Sequence, residues 1–531
     1  MRRSAAVWFG TLFIAACGGG GAAPDSTANN GAAAGSTASS GTSSQLVITT
    51  ALPSSASLGV ALSPQPVVQL RDADGNAIHQ AGIVVTAAAS GSCVTLTNAT
   101  ATTDGNGQAA FAGLSIAGAA LSRTLTFSSP GLTSAQSAGI SLQWGPAVST
   151  TSVSVTCFGA KGDGVTNDQP AIQQALDSLS NDGGIVTLPV GTFLLGSSAG
   201  GAEQTFPNGT PMESALMIRR DNLVLQGQGS ASILQLAPHM KLRILTIDSV
   251  SGVTVEDLVA DGNKTQRDAS QGWPNGDVVD AMLHGYQTTA LHYLRVEARN
   301  GLEDGLTTWM STNPIVDTCY SHDNGFAAAA NDGVFIGGSG ASINHTTGGQ
   351  VINTRIENNT GPGIWFAFNA VDSTAQGNTI TGQLGTGITM GGLDTASGSG
   401  DNHGFTISNN VISGNGSLGY PALRISAAPT GTISGNQITD NHDGVRFEDE
   451  TVGVGGPPST GWTVTGNTIS NTTSARTQTE GVYLAGHSGA ALQTNTITNN
   501  GTSLANQVVI AGTGVVINAD WQTVNTISYQ P

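Results

Sequence analysis

A short unit with one polar and one apolar position recurs through the second half of the chain. Each copy places an Asn two residues before an Ile, and successive copies are 32, 26, 31 and 28 residues apart. The copies contain Asn378 and Ile380, Asn410 and Ile412, Asn436 and Ile438, Asn467 and Ile469, and Asn495 and Ile497. Repeats of this length predict a solenoid of stacked coils. We expect one interior ladder of isoleucines and one turn ladder of asparagines, each Asn paired with the coil above.

Less regular copies of this unit precede the regular ones, in the stretches LHYLRVEARNG, VDTCYSHDNG and INTRIENNTG. Alignment on the repeat predicts which side chains face the interior of each coil. The inward residues are then Val296, Tyr320 and Ile356, and the outward residues are Arg295, Cys319 and Arg355. The solenoid therefore extends well before the regular repeats begin.

A glycine-rich loop, FGAKGDGVTND, precedes a helix-like pattern. Its glycines match neither the Walker spacing nor the dinucleotide-binding spacing, so they do not predict a phosphate site. Asp168 is suited to the N-cap of the following helix, and Pro170 falls in its first turn. The apolar face of that helix consists of Ala171, Ile172, Ala175, Leu176 and Leu179.

The order FGAKGDGVTND, AIQQALD, GGIVTLPVGTF resembles the N-terminal part of the pectate lyase superfamily of right-handed parallel β-helices. The resemblance implies that residues 146–531 form such a β-helix. It also implies that the glycines are turn residues and that the helix covers the end of the solenoid. The expected fold class is all-β.

Residues 45–145 have a different pattern, with short alternating strands separated by Asp-Gly and Asn-Gly turns. The stretches VVQLRDADGNAI and TTDGNGQAAFAGLSI resemble bacterial immunoglobulin-like domains. The resemblance implies a small β-sandwich that acts as a spacer, or sometimes as a binding module.

Composition agrees with an all-β protein and excludes some partners. The chain has 73 Gly, and charged residues make up 10% of it. Its formal net charge is −18, with 17 Lys and Arg. Because binding to phosphates needs clustered basic residues, we do not expect nucleic acid as a partner.

The first 17 residues resemble a lipoprotein-type signal peptide. Arg2 and Arg3 precede an apolar run too short to span a bilayer, and IAAC resembles the cleavage site of bacterial lipoproteins. This resemblance implies lipidation of Cys17 and anchoring to a bacterial membrane; the alternative is an ordinary secretory signal. Residues 18–44 are a flexible linker. We expect an exported protein at the outer membrane or cell surface, and the wide cysteine spacing predicts no disulfide framework.

Candidate acids follow from an x-Gly-apolar pattern at the start of successive strands. EDGLTT and NDGVFI place Asp304 and Asp332 in this pattern, so we expect the two carboxyl groups to stack on neighbouring coils. Stacked carboxyl groups suit glycoside cleavage and raise one pKa. The alternative is that Asp-Gly is only a turn dipeptide, because Pro362 and Thr386 occupy equivalent places.

Basic and aromatic residues near the same coils complete the predicted site. Cleavage by elimination needs a cation and a base, for which we consider His322 and Arg355, and Lys264 and Arg267 in a loop over the groove. A His in a polar turn is also often purely structural. Aromatic side chains that could stack on sugars, or fill the core instead, are Trp273, Trp309 and Trp365.

The segment from VTVEDLVADGNK to NDGVF resembles mannuronan epimerases and related polysaccharide lyases. The resemblance implies catalysis by a short Asp-Pro-His-Glu stretch, but this chain has GLTTWM there, with Thr307, Thr308 and Trp309. The later acid of that family aligns with Asp332. The polygalacturonase pattern is also incomplete, because Thr386 replaces a His and no Arg-x-Lys follows.

The sequence therefore predicts an exported β-helix protein that cleaves extracellular polysaccharide as a lyase or hydrolase, with Asp304 and Asp332 as its central acids. The alternative is a non-catalytic β-helix that binds glycan or a surface. The acidic segment HDGVRFEDE, residues 442–450, is either a solvated loop or a calcium site, so calcium is the one cofactor considered.

Overall fold

The computed structural model describes most of the chain downstream of residue 41. The described residues are 42–144, 152–180, 182–200, 213–240, 242–266, 281–327, 335–336, 339–392, 402–448 and 456–530. Three long parallel sheets dominate this part of the chain. No helix in the described ranges is long and apolar enough to cross a membrane.

The three sheets form a parallel β-helix in which most coils contribute one strand to each sheet. Sheet A contains Ser152–Ser154, Gly184–Thr187, Leu223–Gln226, Thr254–Glu256, His292–Leu294, Ile315–Asp317, Gln350–Ile352, Thr374–Gln376, Phe405–Ser408, Thr430–Ser434, Gly461–Thr465, Gly489–Gln493 and Val516–Ile517. Sheet B contains Asp163–Asn167, Gly191–Leu195, Ser232–Leu236, Val259–Asp261, Glu297–Arg299, Tyr320–His322, Arg355–Glu357, Thr379–Thr381, Val411–Ser413, Gln437–Thr439, Thr468–Ser470, Thr496–Thr498 and Thr526–Ser528. Sheet C contains Ser214–Ile218, Arg243–Asp248, Leu283–Tyr286, Leu306–Trp309, Ala341–Asn344, Ile364–Ala367, Ile388–Gly391, Pro421–Ser426, Asp443–Phe447, Val482–Leu484 and Val508–Ile510.

The predicted isoleucine ladder lies in sheet B and is confirmed. Each Ile of the repeat is paired in register with the Ile of the next coil, from Ile356 to Ile527, and the five isoleucines of the repeat are fully buried. Burial of one such side chain contributes about 1.5–3 kcal/mol. The interior of the solenoid is thus built from the periodic apolar position of the sequence.

The predicted asparagine ladder occupies the tight turn between sheets A and B and is also confirmed. The Oδ1 atom of Asn410 accepts from the backbone N–H and the side-chain amide of Asn378, both at 2.9 Å. The same pair of bonds links each further Asn to the next coil, as far as Asn525. Because these amides are buried, the bonds pair polar atoms of the turn that water does not reach.

The alignment of the earlier coils was wrong by two residues for Val296 and by one for Tyr320, and it was right for Ile356. Ala298, Ser321 and Ile356 are the inward residues paired in sheet B, whereas Tyr320 pairs with Arg355 on the outer face. Val296 and Cys319 are buried just before their strands. The copies in these coils contain no Asn-x-Ile unit, so the sequence did not show which residue of each copy occupies the inward position.

The helix Gln169–Ser178 (α1) covers the N-terminal edge of sheet C. The side-chain amide of Gln173 bonds both the N–H and the C=O of Met217, at 2.8 and 3.0 Å. The Asp168 side chain does not cap the helix; it accepts from the N–H groups of Lys161 and Gly162 in the glycine-rich loop. The glycines are thus turn residues, as expected. A 3₁₀ helix, Val155–Phe158, leads into this loop.

Residues 45–143 form small, mostly antiparallel sheets around a separate apolar core. Their strands are Gln45–Ile48, Ser55–Ser57, Val67–Arg71, Val84–Ala89, Val94–Thr97, Thr100–Thr102, Gln108–Ala110, Ser115–Gly118, Ser122–Arg123, Leu125–Ser128, Ala135–Gln136 and Ile140–Gln143. This unit ends at Trp144, whose side chain packs against both cores and donates to the carbonyl of Ser178.

A disulfide between Cys93 and Cys157 joins this N-terminal unit to the first coil of the β-helix. The expectation that the cysteines form no disulfide was therefore wrong. The two residues are 64 positions apart in sequence, and their Cα atoms are 5.3 Å apart. Sequence spacing could not reveal this because the two cysteines belong to units that meet only in the folded protein.

The remaining cysteine of the described chain, Cys319, is free and buried, and its burial raises the pKa of the thiol to about 12. We therefore expect thiol titration of a chain starting at residue 42 to detect no reactive thiol in the native state and one after unfolding without reductant. Detection of three thiols after unfolding would contradict the disulfide.

Candidate functional site

The outer face of sheet C carries a continuous row of side chains from successive coils. The strand register places them in the order Thr246, His284, Thr307, Ser342, Trp365, Thr389, Arg424, Arg446 and Tyr483. Neighbouring members are ~4.8 Å apart along the solenoid axis, the spacing of hydrogen-bonded strands. Such a row presents one side chain per coil to a ligand that lies along the axis.

A cleft of about 300 Å³ lies over the first part of this row. We call it the acid cleft, because Glu303 and Asp304 form part of its wall. Its remaining lining residues are His284, Thr307, Thr308, Trp309, Ser342, Asn344, Trp365 and Phe368. All come from sheet C or from the turns that flank it.

Asp304 precedes a strand of sheet C at the x-Gly-apolar pattern found in the sequence. The following glycine is required by close packing of the coils, since a Cβ on Gly305 would lie 2.3 Å from Ser321 Oγ and 2.9 Å from the carbonyl oxygen of Gly340. The carboxyl group of Asp304 accepts from the N–H of Ser339 at 2.7 Å. Burial raises the pKa of Asp304 to about 6, although hydrogen bonds from Ser339 and Ser342 oppose that shift.

His284 lies on the preceding coil and is 1% exposed. Its Nδ1 atom is 2.7 Å from the hydroxyl of Thr307, and in the described part of the chain its Nε2 atom has no hydrogen-bond partner. Burial lowers the pKa of His284 well below its usual value, and the charge of Arg243 lowers it further. Sequence reasoning missed this residue, although the stretch LHGY aligns with LTTW one coil later and puts a His at an outward position.

An aromatic wall forms one side of the acid cleft. The ring centroids of Trp309 and His345 are 4.7 Å apart, and those of Trp365 and Phe368 are 5.4 Å apart. Phe368 also lies 6.2 Å from Trp309. The structure thus brings Trp309 and Trp365, both predicted from sequence, to the same cleft as Asp304, together with aromatic turn residues that the sequence did not indicate.

Trp365 also lines a second cavity further along sheet C. That cavity, of about 220 Å³, is bordered by Thr386, Thr389, Tyr420 and Arg424. The acid cleft and this cavity therefore form neighbouring parts of one groove with the indole of Trp365 between them.

The strand register of the described residues does not place a second carboxyl group after Asp304. Strand Leu306–Trp309 pairs with Ala341–Asn344, so Ser339 is the residue that follows Asp304 in the next coil. The hairpin of Phe326–Ala327 with Phe335–Ile336 is inserted between these coils and shifts the register. Asp332 itself lies outside the described residues.

Stacked carboxyl groups do occur on sheet C, at Asp443 and Glu480. Burial, and then the charge of Asp443, raise the pKa of Glu480. The guanidinium of Arg446 lies 3.7 Å from Asp443 and 3.9 Å from Glu480, so the cation at this place is a side chain. Within the described ranges no group of His, Cys, Asp or Glu is arranged to hold a metal ion, so nothing there supports the calcium considered for residues 442–450.

His322 and Arg355 lie on the outer face of sheet B rather than in the acid cleft. The imidazole of His322 stacks on Tyr320 at 4.0 Å and contacts Asp323 at 2.7 Å. The guanidinium of Arg355 lies over the Tyr320 ring, and its Nε atom is 2.6 Å from Glu357. The structure does not bring these two residues together with Asp304.

Lys264 is bound to the backbone of a later turn. Its ammonium group donates to the carbonyl oxygens of Asp323 and Gly325, and burial lowers the pKa of Lys264. These contacts connect coils on the side of sheet B. The other predicted residues, Arg267, Trp273 and Cys17, lie outside the described part of the chain.

Two family models match parts of the β-helix. One is described as a right-handed beta helix region and matches residues 389–520. The other is described as periplasmic copper-binding protein (NosD) and matches residues 295–454. The solenoid is thus a right-handed parallel β-helix, as the sequence predicted.

Curated relatives share part of this region. The mannuronan C5-epimerase AlgE6 of Azotobacter vinelandii is 33% identical over 128 residues, covering 22% of this chain and 13% of the relative. AlgE4 of the same organism is 28% identical over 178 residues, covering 32% of this chain and 30% of the relative. The chain therefore spans less than a third of the length of these relatives.

Among solved structures, the A-module of A. vinelandii mannuronan C-5 epimerase AlgE4 has a similar fold. The match covers 71% of this chain and 100% of the A-module. The TM-score is 0.50 and the sequence identity 21%. This likeness supports the β-helix fold.

Proposed function

We propose that the protein is a carbohydrate-active β-helix protein that binds extracellular polysaccharide along sheet C and cleaves it in the acid cleft. The observation that carries the proposal is the position of Asp304, a buried and readily protonated carboxyl group, beside an aromatic wall in a groove that crosses successive coils. A carboxylic acid with a raised pKa can protonate a leaving glycosidic oxygen. Aromatic rings provide flat apolar surfaces for sugar rings.

The relatives support a polysaccharide as the ligand, because their printed names refer to mannuronan. Their chemistry is not transferred, since the Asp-Pro-His-Glu stretch is absent and Thr307 and Thr308 line the cleft instead. Cleavage by hydrolysis or elimination requires only a proton donor, a base and a bound sugar chain.

We also propose that the protein is exported and anchored by a lipid on Cys17, with residues 45–145 as an immunoglobulin-like spacer. The disulfide between Cys93 and Cys157 supports an oxidising compartment, because such bonds persist mainly outside the cytosol. The signal-like residues 1–17 support the same location.

The alternative function is glycan binding without cleavage. One observation favours it: Asp304 stacks on Ser339 and not on a second carboxyl group. In that case the aromatic wall would hold the sugar chain, and Asp304 would serve only to fix the turn that contains Ser339.

Incubation of the chain from residue 42 with a panel of neutral and acidic polysaccharides tests the proposal. Reducing ends without ultraviolet absorbance indicate hydrolysis, whereas reducing ends with the absorbance of an unsaturated sugar indicate elimination. Binding by affinity electrophoresis without either product would support the alternative. If the protein neither binds nor cleaves any polysaccharide of the panel, both functions are contradicted.

Removal of the aromatic wall should weaken glycan binding. We expect Trp309→Ala and Trp365→Ala each to reduce affinity for a bound polysaccharide about tenfold, since aromatic contacts contribute ~0.5–1.5 kcal/mol beyond burial. Affinity electrophoresis measures this effect. Tyr529→Ala, which removes an aromatic ring held by Arg476 far along the chain, is the matched control and should bind like the unmodified protein.

A further inference from the structure

We propose that His284 is the base of the acid cleft and that its Nε2 atom takes a proton from a water molecule that attacks the sugar. This inference rests on the proposed cleavage of polysaccharide and deepens it by naming the second catalytic group and the reaction, which is hydrolysis. His284 and Asp304 border the same cleft, on neighbouring coils of sheet C.

The unpartnered nitrogen is the first observation. Buried polar atoms are almost always hydrogen-bonded, and those without a partner call for an explanation. His284 is 1% exposed, and its buried Nε2 atom has no partner among the described residues, although the residue lines the cleft. A ligand or substrate water in the cleft would supply that partner.

The second observation is a chain of hydrogen-bond contacts that indicates the tautomer of His284. The hydroxyl of Thr307 donates to the carbonyl oxygen of Leu283 at 3.3 Å, because a carbonyl can only accept. We infer that this bond uses the hydroxyl proton, so that Nδ1–H of His284 donates to Thr307 across the contact of 2.7 Å. In neutral imidazole this leaves Nε2 with a lone pair that can accept a proton.

The environment of the cleft displaces the pKa values of His284 and Asp304 in opposite directions. Burial, and then the charge of Arg243 on the preceding coil, lower the pKa of His284, whereas burial raises that of Asp304. Tyr286 stacks near the imidazole at 6.3 Å, and Glu303 lies in the same cleft wall. Two groups whose pKa values are displaced in opposite directions are suited to serve as base and acid.

The cleft lining favours hydrolysis over elimination. Elimination from a uronate needs a cation to neutralise the sugar carboxylate. The described residues that line the acid cleft include two carboxyl groups and neither Lys nor Arg. A water molecule activated by a neutral imidazole needs no such cation.

The reaction is balanced with these two groups. An O–H bond of water breaks and its proton binds Nε2, while the water oxygen bonds to the anomeric carbon. The glycosidic C–O bond breaks, and its electron pair stays on the leaving oxygen, which takes the proton of Asp304. Transfer of the proton from the imidazolium to the Asp304 carboxylate restores the site, so that one water is consumed per bond.

Paired variants test the inference on a polysaccharide that the unmodified protein cleaves. His284→Gln should lower kcat at least a hundredfold with little change in KM, in keeping with the loss of a general base. Thr307→Val should lower kcat about tenfold because both tautomers become populated, whereas Thr307→Ser should retain most activity. His292→Gln, on the adjacent strand of the same coil in sheet A, is the histidine control.

A measurement that needs no glycan tests the inference independently of activity. The ¹⁵N spectrum of histidine-labelled protein, with His284 assigned from its loss in His284→Gln, should show the Nδ1–H tautomer near pH 7. The Nε2–H tautomer would overturn the base role whatever the activity. Retained cleavage in His284→Gln, together with loss in Asp304→Asn, would overturn it while the proposed function stands. Failure of the unmodified protein to cleave any polysaccharide would overturn both.

Discussion

Replacement of Asp304 by Asn is expected to lower the rate of polysaccharide cleavage by about 10²–10⁴, the usual contribution of a general acid. The amide cannot give the proton that the leaving oxygen needs, but it can still accept the hydrogen bond from the N–H of Ser339. Glycan binding should therefore persist. In the unmodified protein, kcat should fall as pH rises through about 6, because Asp304 acts only in its protonated form.

The same variant should be more stable than the unmodified protein near pH 8. The folded-state pKa of Asp304 is raised from 3.8 to about 6, so the folded protein holds this proton more tightly than the unfolded chain does. Stability is therefore lost as pH rises between these values and stays lower above them. A shift of about two units corresponds to ~3 kcal/mol, which Asp304→Asn should recover near pH 8 and not near pH 3.

Denaturant unfolding at both pH values, with activity measured in parallel, checks these effects together. Asp317→Asn is a suitable control, because Asp317 lies on the outer face of sheet A and is partly exposed. Loss of activity with no gain in stability near pH 8 would contradict the raised pKa. Full activity in Asp304→Asn would contradict its role as the acid.

Replacement of Asn410 by Ala is expected to destabilise the β-helix by about 3–5 kcal/mol. The side chain of Asn410 accepts two hydrogen bonds from Asn378 and donates to the carbonyl of Ala375 and to Asn436. Its removal leaves buried polar atoms unpaired on two neighbouring coils, each at a cost of ~1–3 kcal/mol. Few single substitutions have so large an effect.

Guanidinium unfolding followed by circular dichroism measures this loss. Gln437→Ala is the matched control, because Gln437 is exposed on the outer face of the neighbouring strand and should change stability by less than ~0.5 kcal/mol. Equal stability of the two variants would show that the ladder does not hold the coils together.

The periodic part of the sequence determined the fold because each repeat contains the same two constraints. An Ile must be buried and a turn amide must be paired in every coil, so regular spacing of Asn378 and its successors was enough to predict both ladders. Where the repeat is irregular, counting failed. The inserted hairpin after Phe326 changed the count, so that Ser339 follows Asp304 in the strand register.

The candidate site was only partly predictable for a related reason. Asp304 was identified from the repeated x-Gly-apolar pattern, and Trp309 and Trp365 were identified as aromatic residues near the same coils. His284 was missed because its importance depends on the unpaired Nε2 atom and on its contact with Thr307. His322 and Arg355 were predicted in the site but lie on sheet B, because sequence order does not show to which of the three sheets a polar residue belongs.

A crystal structure of the Asp304→Asn variant with an oligosaccharide of the polysaccharide that the protein binds or cleaves tests the central claim most directly. We predict sugar rings against Trp309 and Trp365, with a glycosidic oxygen within hydrogen-bonding distance of the side chain at position 304. An oligosaccharide bound on sheet B near His322 and Arg355, or on residues 45–143, would contradict the assignment of the acid cleft as the functional site.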